Sequence, residues 1–487
     1  MTSEIRRSVL EASDRLIVGD DVVVVGEELA RTFVEGDRII GIAETGEILH
    51  LPRVDFSLVD EAVTRSHRAF EALQTVSEEA ISSFFAVFAE LLSDDATIAL
   101  IRTANDIDVR EAKAKSRSTT RLVLDERMRL EMVASLRIWE NSSLQRESVV
   151  ERIEHEGWTV ESVRVPLGVI SFVFEGRPNV FADATGVLRS GNTCVLRIGS
   201  DALETALAIM NHAIQPALVG SGLPLDSVQL IGAKSHASAW ALFSNPGVAL
   251  AIARGSGPAV AKLGAVARQA GIPVSLHGTG GAWLIAGESA KVDSFEEIVT
   301  HSLDRKVCNT VNVVCIPQSR VGDLLPALER GIVAAASSWG MAGIAHLVGD
   351  RIPIDFEHNP LLDIRDLSED ELSIEWEWDT RPECSIIVVK DVATAIELCN
   401  HYSPQFIVSL VSEDEAEHRK VWLGLNAPFV GNGMTRWVDG QFALLRPELG
   451  LSNWQFGRLL GRSGILSGDS VYTVRLRATQ HLSSLHR

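Results

Sequence analysis

In "HSLDRKVCNTVNVVCI" (residues 301–316), Cys308 follows Arg305 and Lys306 and precedes an apolar run. A thiolate is the strongest nucleophile a side chain offers near neutral pH, and adjacent cations lower a thiol pKa by stabilising the charged form. The arrangement suits a cysteine nucleophile; the competing assignment is a buried structural cysteine. Cys194, Cys315 and Cys384 lie in apolar runs and Cys399 near a helix end, where the structural assignment holds. Cys308 differs in lying in a polar loop between a helical and a strand-like stretch.

No His/Asp arrangement of the protease kind lies near Cys308, so acyl chemistry needs its electrophile stabilised from elsewhere. "EGRPNV" (175–180) offers Asn179. Its amide N–H can meet a developing oxyanion, a role worth about 3 kcal/mol or more in other enzymes; alternatively it shapes a turn after Pro178. "RGSG" (Arg254, Gly255, Ser256, Gly257) ends a strand and opens a helix with Pro258 in its first turn. That suits either a phosphate at a helix N-terminus or a simple tight turn. The full GxGxxG form is absent, since 255–260 reads "GSGPAV".

A formal charge of −20 argues against non-specific nucleic-acid binding, which needs a basic face. An anionic ligand must therefore be met by local cations, and Arg177, Arg254, Arg305, Lys306 and Arg436 are the candidates. The five cysteines form neither a CxxC pair nor a His/Cys cluster at metal-ligand spacing, so reduced thiols in a cytoplasm and no metal are expected. The start "MTSEIRRSVLEASDR" has no apolar h-region, and the most apolar window, 236–253, is broken by His, Ser, Asn and Pro. Neither a targeting segment nor a membrane span is expected.

The positioning elements follow from periodicity. Residues 20–52 mix β-branched runs with "EGD" and "ETGE" turn signals and predict two or three short strands. From 59 to about 145 the pattern is helical, clearest at Ile81, Phe84, Phe85, Phe88, Leu91 and Leu92. Alternation around an "EG" turn at 151–168 predicts a β-hairpin, and 468–478 is another alternating strand. Runs at 168–176, 193–199, 227–232, 248–255 and 273–278 are short, apolar and end in glycine, with helical stretches between them. Such alternation predicts a parallel, doubly wound sheet with ligands at its carboxyl edge. "VNVVCI", "CSIIVVK" and "FIVSLV" repeat the pattern within 294–430 and predict a second α/β domain.

Taken together, "VPLGVISFVFEGRPNVFADATGVLRSGNTCVLRIGS" (165–200), "IPVSLHGTGG" (272–281), "VCNTVNVVCI" (307–316) and "TRWVDGQF" (435–442) resemble the γ-glutamyl phosphate reductase branch of the aldehyde dehydrogenase superfamily, over residues 60 to 480. The resemblance implies two doubly wound α/β domains with a β-hairpin oligomerisation flap. The chain then divides into a β-rich N-terminal extension (1–55), a dinucleotide-binding domain (56–290, flap 151–168), a catalytic cysteine domain (291–430) and a return segment with an oligomerisation strand (431–487). It implies Cys308 as thioester-forming nucleophile and Asn179 as oxyanion donor. Arg197, Ser200, Arg254, Gly255, Ser256 and Gly257 would line the cofactor edge, and Arg177, Arg305, Lys306 and Arg436 would meet the substrate.

The implied reaction is NADPH-dependent reduction of an acyl phosphate, γ-glutamyl phosphate or a relative, by a homodimer or homotetramer. NAD is the alternative cofactor. Ser200 stands where NAD-preferring relatives often carry Glu, although Asp201 is adjacent. Relatives that hydrolyse a thioester carry a Glu base in "ELGG", where the corresponding stretch here is "SLHG" (275–278), with Leu276 and His277; a site without that base suits exchange with phosphate. Other departures are "LDRK" before the cysteine and "VDGQFALLRPE" at 438–448. They keep two alternatives open: an acyl-CoA reductase or biosynthetic aldehyde dehydrogenase, and a non-catalytic paralogue.

Overall fold

The computed structural model describes residues 9–117, 119, 121–142, 146–349, 359–438, 443–450, 454–455, 458–459 and 466–484. The chain forms two units, Met1–Gly278 with Arg446–Gly450 and Leu466–Arg487, and Thr279–Leu445 with Leu451–Ile465.

The first unit is built on a five-stranded parallel sheet. Its strands are β1 (Val169–Phe174), β2 (Thr193–Ile198), β3 (Val228–Leu230), β4 (Val248–Arg254) and β5 (Val274–His277), in spatial order β5-β4-β1-β2-β3. Both faces are buried, which is why the strands read as continuous apolar runs. Ile170, Phe172 and Phe174 pack with Phe84, Phe85, Phe88 and Trp139 from the helices Glu78–Ser93 and Glu126–Asn141. Val169 and Val173 face the opposite way, into a core with Val63, Leu242, Phe243 and Val266.

The expected β-rich start consists of two antiparallel hairpins, Arg15–Val18 with Asp21–Val24 and Arg38–Ile42 with Glu47–Leu51, flanking a short helix Glu27–Thr32. The second hairpin is not an appendage. Ile42, Leu49 and Leu51 are in the core, and Glu44 and Glu47 pair with Arg268 and Lys262 on the helix Gly257–Gln269.

The hairpin predicted at 151–168 spans Val149–His155 and Trp158–Pro166, turning at Gly157 with φ +83°. Tyr472–Gln480 adds a third antiparallel strand, from Tyr472 opposite Pro166 to Gln480 opposite Trp158. Two buried side chains secure its approach: Asn192 Nδ2 donates to the Val471 carbonyl (2.7 Å) and Ser190 Oγ to that of Gly468 (2.6 Å).

The second unit holds a seven-stranded parallel sheet: β6 (Ala282–Ala286), β7 (Val311–Pro317), β8 (Gly343–Val348), β9 (Leu362–Leu367), β10 (Glu383–Val389), β11 (Ile407–Val411) and β12 (Phe429–Gly431). The order is β9-β8-β10-β7-β6-β11-β12. Alternate residues again face two cores, Leu284, Val314, Ile316 and Ile386 on one side and Trp283, Val313, Cys315 and Leu410 on the other. The boundary between units at Gly278 and Thr279 precedes the sequence-based boundary at 290, because β6 pairs with β7 and β11. Strands β6, β8, β9 and β12 were not among those expected from sequence.

Candidate active site

Cys308 lies in the loop that joins the helix Val292–Ser302 to β7. It is partly buried, packed on a small cluster of Ala282, Phe406, Ile407, Phe429 and Val438. The loop is fixed mainly by hydrogen bonds to its own polar groups. Thr310 Oγ1 donates to the Arg305 carbonyl (2.6 Å) and accepts from the Val307 N–H (2.9 Å). Thr435 Oγ1 donates to the Asn309 carbonyl (2.7 Å), and Asn309 Nδ2 to that of Val438. The Gly281 N–H donates to the carbonyl of Cys308 itself (2.8 Å).

The other four thiols are buried in the sheets and helices. Burial pushes Cys384 and Cys399 up to about 12 and raises Cys194 and Cys315 as well, so they are inert near neutral pH.

The expected substrate cations of the second unit gather on this same loop, already engaged. Arg436 is buried; its Nη1 donates to Asp304 Oδ1 (3.0 Å) and to the Arg305 carbonyl (3.3 Å). The Lys306 side chain is 5% exposed, with Nζ 2.7 Å from Glu375 Oε1 and 3.8 Å from Glu377 Oε1. Lys306 is therefore half of an internal ion pair rather than an exposed cation. Glu375 was not singled out from sequence; its segment "IEWEW" carries no motif, and its link to Lys306 is made only in three dimensions. Part of the "TRWVDGQF" motif, residues 439–442, lies outside the described residues.

In the first unit, Asn179 follows β1 as the N-cap of the short helix Val180–Ala184. It caps nothing, and its Oδ1 is buried without a hydrogen-bond partner. The orphaned atom is a hydrogen-bond acceptor, whereas the donor an oxyanion would need is Nδ2 of the same amide. Arg177, Asp183, Arg254 and His277 form the surrounding charge cluster, with Arg254 Nη1 3.6 Å from Asp183 Oδ2. Burial lifts the Asp183 carboxyl to about 7 against the opposing pull of Arg254 and Arg177. Burial also drives His277 down to about 3, helped by Arg254, Arg177 and Arg121. Arg254 Nη1 also donates to the Glu448 carbonyl (3.2 Å). Leu276 packs with the core behind β5.

β1 and β4 flank the point where the strand order reverses, the usual ligand crevice of an open α/β sheet. At its rim Ser256 is the N-cap of Gly257–Gln269 without using its side chain, leaving first-turn N–H groups for an anion. Ser200 is partly exposed beyond β2. The charge of Asp201 is taken up by Arg117, whose Nη1 lies 2.5 and 2.6 Å from its two oxygens. Arg197 is buried and donates to the Lys234 and Ser235 carbonyls (3.3 and 3.1 Å), which shapes that rim from beneath. These residues fit a nicotinamide dinucleotide. Among the described residues there is no group of three or more His, Cys, Asp or Glu that could hold a metal, and no helix long and apolar enough to cross a membrane.

Comparisons with known proteins agree with this architecture. The chain is 29% identical to the γ-glutamyl phosphate reductase of Rhodopirellula baltica over 307 residues, 62% of this chain and 66% of that protein. It is 28% identical to that of Bacillus cereus strain AH187 over 407 residues, 80% and 89% of the two lengths. The crystal structure of the Thermotoga maritima γ-glutamyl phosphate reductase superposes with a TM-score of 0.76 at 24% identity, covering 88% of this chain and all of that one. The model of the aldehyde dehydrogenase family matches residues 38–337, from the second N-terminal hairpin through the cysteine loop. With the whole first sheet, the first two strands of the second and the cysteine loop inside that match, the chain belongs to the aldehyde dehydrogenase family, and it is an oxidoreductase acting on aldehyde or acyl groups.

Proposed function

We propose that the protein reduces an acyl phosphate, γ-glutamyl phosphate or a related amino-acid acyl phosphate, to the aldehyde through a thioester on Cys308. The observation that carries this reading is the contrast among the thiols: four are buried within regular structure, and Cys308 alone sits partly exposed on a loop braced from several sides. The names of the relatives support the acyl-phosphate substrate.

In this mechanism the Cys308 thiolate attacks the acyl carbonyl and a C–S bond forms. Asn179 and a backbone N–H beside Cys308 hold the oxyanion, and collapse breaks the C–O bond to phosphate. Family membership brings a nicotinamide cofactor, which supplies the hydride that releases the aldehyde and returns the thiolate. The overall balance is acyl phosphate, NADPH and a proton giving aldehyde, NADP and inorganic phosphate. Ser200, Ser256 and the 254–257 turn would hold the cofactor, with NADPH favoured because Arg117 cancels the charge of Asp201. The stretch "SLHG" (275–278) offers no carboxylate as hydrolytic base, so the thioester would be spared from water. Arg177 and Arg305 would offset the phosphate charge, while Lys306 and Arg436 act on the loop they are bonded to.

We also place the protein in the cytoplasm, as a dimer or tetramer built through the three-stranded sheet. Val149–His155 is exposed along its whole length, pairs among the described residues only with Trp158–Pro166, and presents Val149, Val150 and Ile153 to solvent.

The replaced 438–448 segment motivates a second reading in which CoA is the acyl partner. Aldehyde oxidation assayed with phosphate against CoA separates the two. Cys308→Ser should lower acyl-phosphate reduction by about a thousandfold or more while cofactor binding, read by fluorescence titration, stays unchanged. Turnover retained by that variant overturns the assignment.

A further inference from the structure

Glu375 reaches the cysteine loop from the connection between β9 and β10, and its position is tightly specified. Asn312, buried in β7, donates from Nδ2 to the Ile374 carbonyl (2.8 Å) and accepts at Oδ1 from the Trp376 N–H (2.9 Å). Trp376 stacks on His346 with ring centroids 3.8 Å apart and planes 2° from parallel, and its Nε1 donates to Ser385 Oγ (2.8 Å). His346 in turn bonds Glu383 at 2.6 Å. Between these anchors the Glu375 carboxylate takes two bonds, from Lys306 Nζ (2.7 Å) at Oε1 and from the Gly280 N–H (2.6 Å) at Oε2.

The carboxylate also lies close to the nucleophile. A methyl group on Gly280 would sit 2.7 Å from Cys308 Cα, 2.8 Å from the Cys308 carbonyl oxygen and 2.8 Å from Glu375 Oε1. One point thus touches both the backbone that carries the thiol and the carboxylate. The side chains of Lys306 and Glu375 are only 5% and 16% exposed, so their charges act through poorly screened surroundings. Among the described residues, the other charged groups at the loop in this unit are Glu377, largely exposed; Asp304, paired with Arg436; and Arg305.

We propose that Glu375 is a positioning residue for Cys308: it cancels the buried charge of Lys306 and pins Gly280 over the cysteine backbone, so that this single ion pair sets the thiolate fraction. The inference rests on Cys308 being the nucleophile. It extends the simple expectation that neutralising a nearby cation raises the thiol pKa, because removing the lysine exposes a carboxylate and removing the carboxylate exposes a lysine.

Two variants of one pair should therefore move the thiol in opposite directions. Alkylation of Cys308 by iodoacetamide, followed by mass spectrometry on the full chain across pH, reads the thiol directly, and the four buried thiols serve as internal controls. Glu375→Gln should lower the midpoint by about one pH unit and Lys306→Met should raise it by about one. The double variant should return close to the parent, as should the charge-conserving Glu375→Asp. A purely structural role predicts shifts of the same sign or none, and either result overturns the proposal. Should Glu375→Gln fail to fold, Lys306→Met decides alone, with an unmoved or lowered midpoint as the refuting outcome. Failure of the nucleophile assignment would show separately, as turnover surviving Cys308→Ser while the alkylation shifts persist.

Discussion

The two units treat buried charge differently. In the first, Asp183, His277, Arg177 and Arg254 share a neighbourhood in which the acid is held to about 7 and the imidazole is driven down to about 3, so both lean to their neutral forms. In the second, around Cys308, Lys306 is met by Glu375 and Arg436 by Asp304, both in hydrogen-bonded pairs. Desolvation is the larger influence on the acid and the imidazole of the first cluster, and close pairing marks the second. A region of the first kind should respond to pH, and one of the second kind to deletion of a partner.

The sharpest break in this comparison is at Asn179, whose amide belongs to neither scheme. Asn179→Ala should lower kcat/KM by about a hundredfold to a thousandfold with little change in stability, since the side chain caps nothing. Steady-state kinetics beside a melting curve check both halves of that expectation. Next is Gly280→Ala, where the new methyl would meet backbone atoms of Cys308 at 2.7 and 2.8 Å. A cost of about 1–3 kcal/mol in stability is expected, together with slower Cys308 alkylation, as the loop shifts to make room.

A subtler contrast appears in the pH dependence of stability. Asp183 keeps its proton to about 7 when folded but loses it near 4 when unfolded, so its contribution falls as pH rises across that window. His277 resists protonation to about 3 when folded and takes a proton near 6.5 when unfolded, so its contribution falls as pH drops through the same window. The two slopes largely cancel between about pH 4 and 6.5. Asp183→Asn should leave a melting temperature that climbs with pH there, and His277→Gln one that declines. Calorimetry at several pH values tests the signs, and parallel slopes in the two variants would contradict the shared origin. The smallest effect is expected at Arg117: Arg117→Ala uncovers Asp201 on a partly exposed rim, which should raise KM for NADPH by about two- to fivefold and leave that for NADH unchanged.

Much of this was legible in residue order. The five strands of the first sheet are apolar runs because both faces are covered, and each was placed within a few residues. β9 is hard to see in sequence because it is a polar edge strand carrying Asp363, Arg365 and Asp366. At the site, the type and setting of Cys308 were readable, since a polar loop differs locally from an apolar strand. The occupation of Lys306 was not: its partner is 69 residues away, and nothing in "DRKVC" tells a surface cation from one half of a buried pair.

The tail strand Tyr472–Gln480 has a consequence for how the molecule is made. The contacts of Asn192 and Ser190 with Val471 and Gly468 close loops of 279 and 278 residues, and the second unit is threaded between them. During vectorial synthesis the first sheet can form early, but Trp158–Pro166 must wait with an open edge until the whole second unit has emerged. Closure over so long a loop is slow, so a nascent chain stalled before residue 466 should be the species that most needs a chaperone.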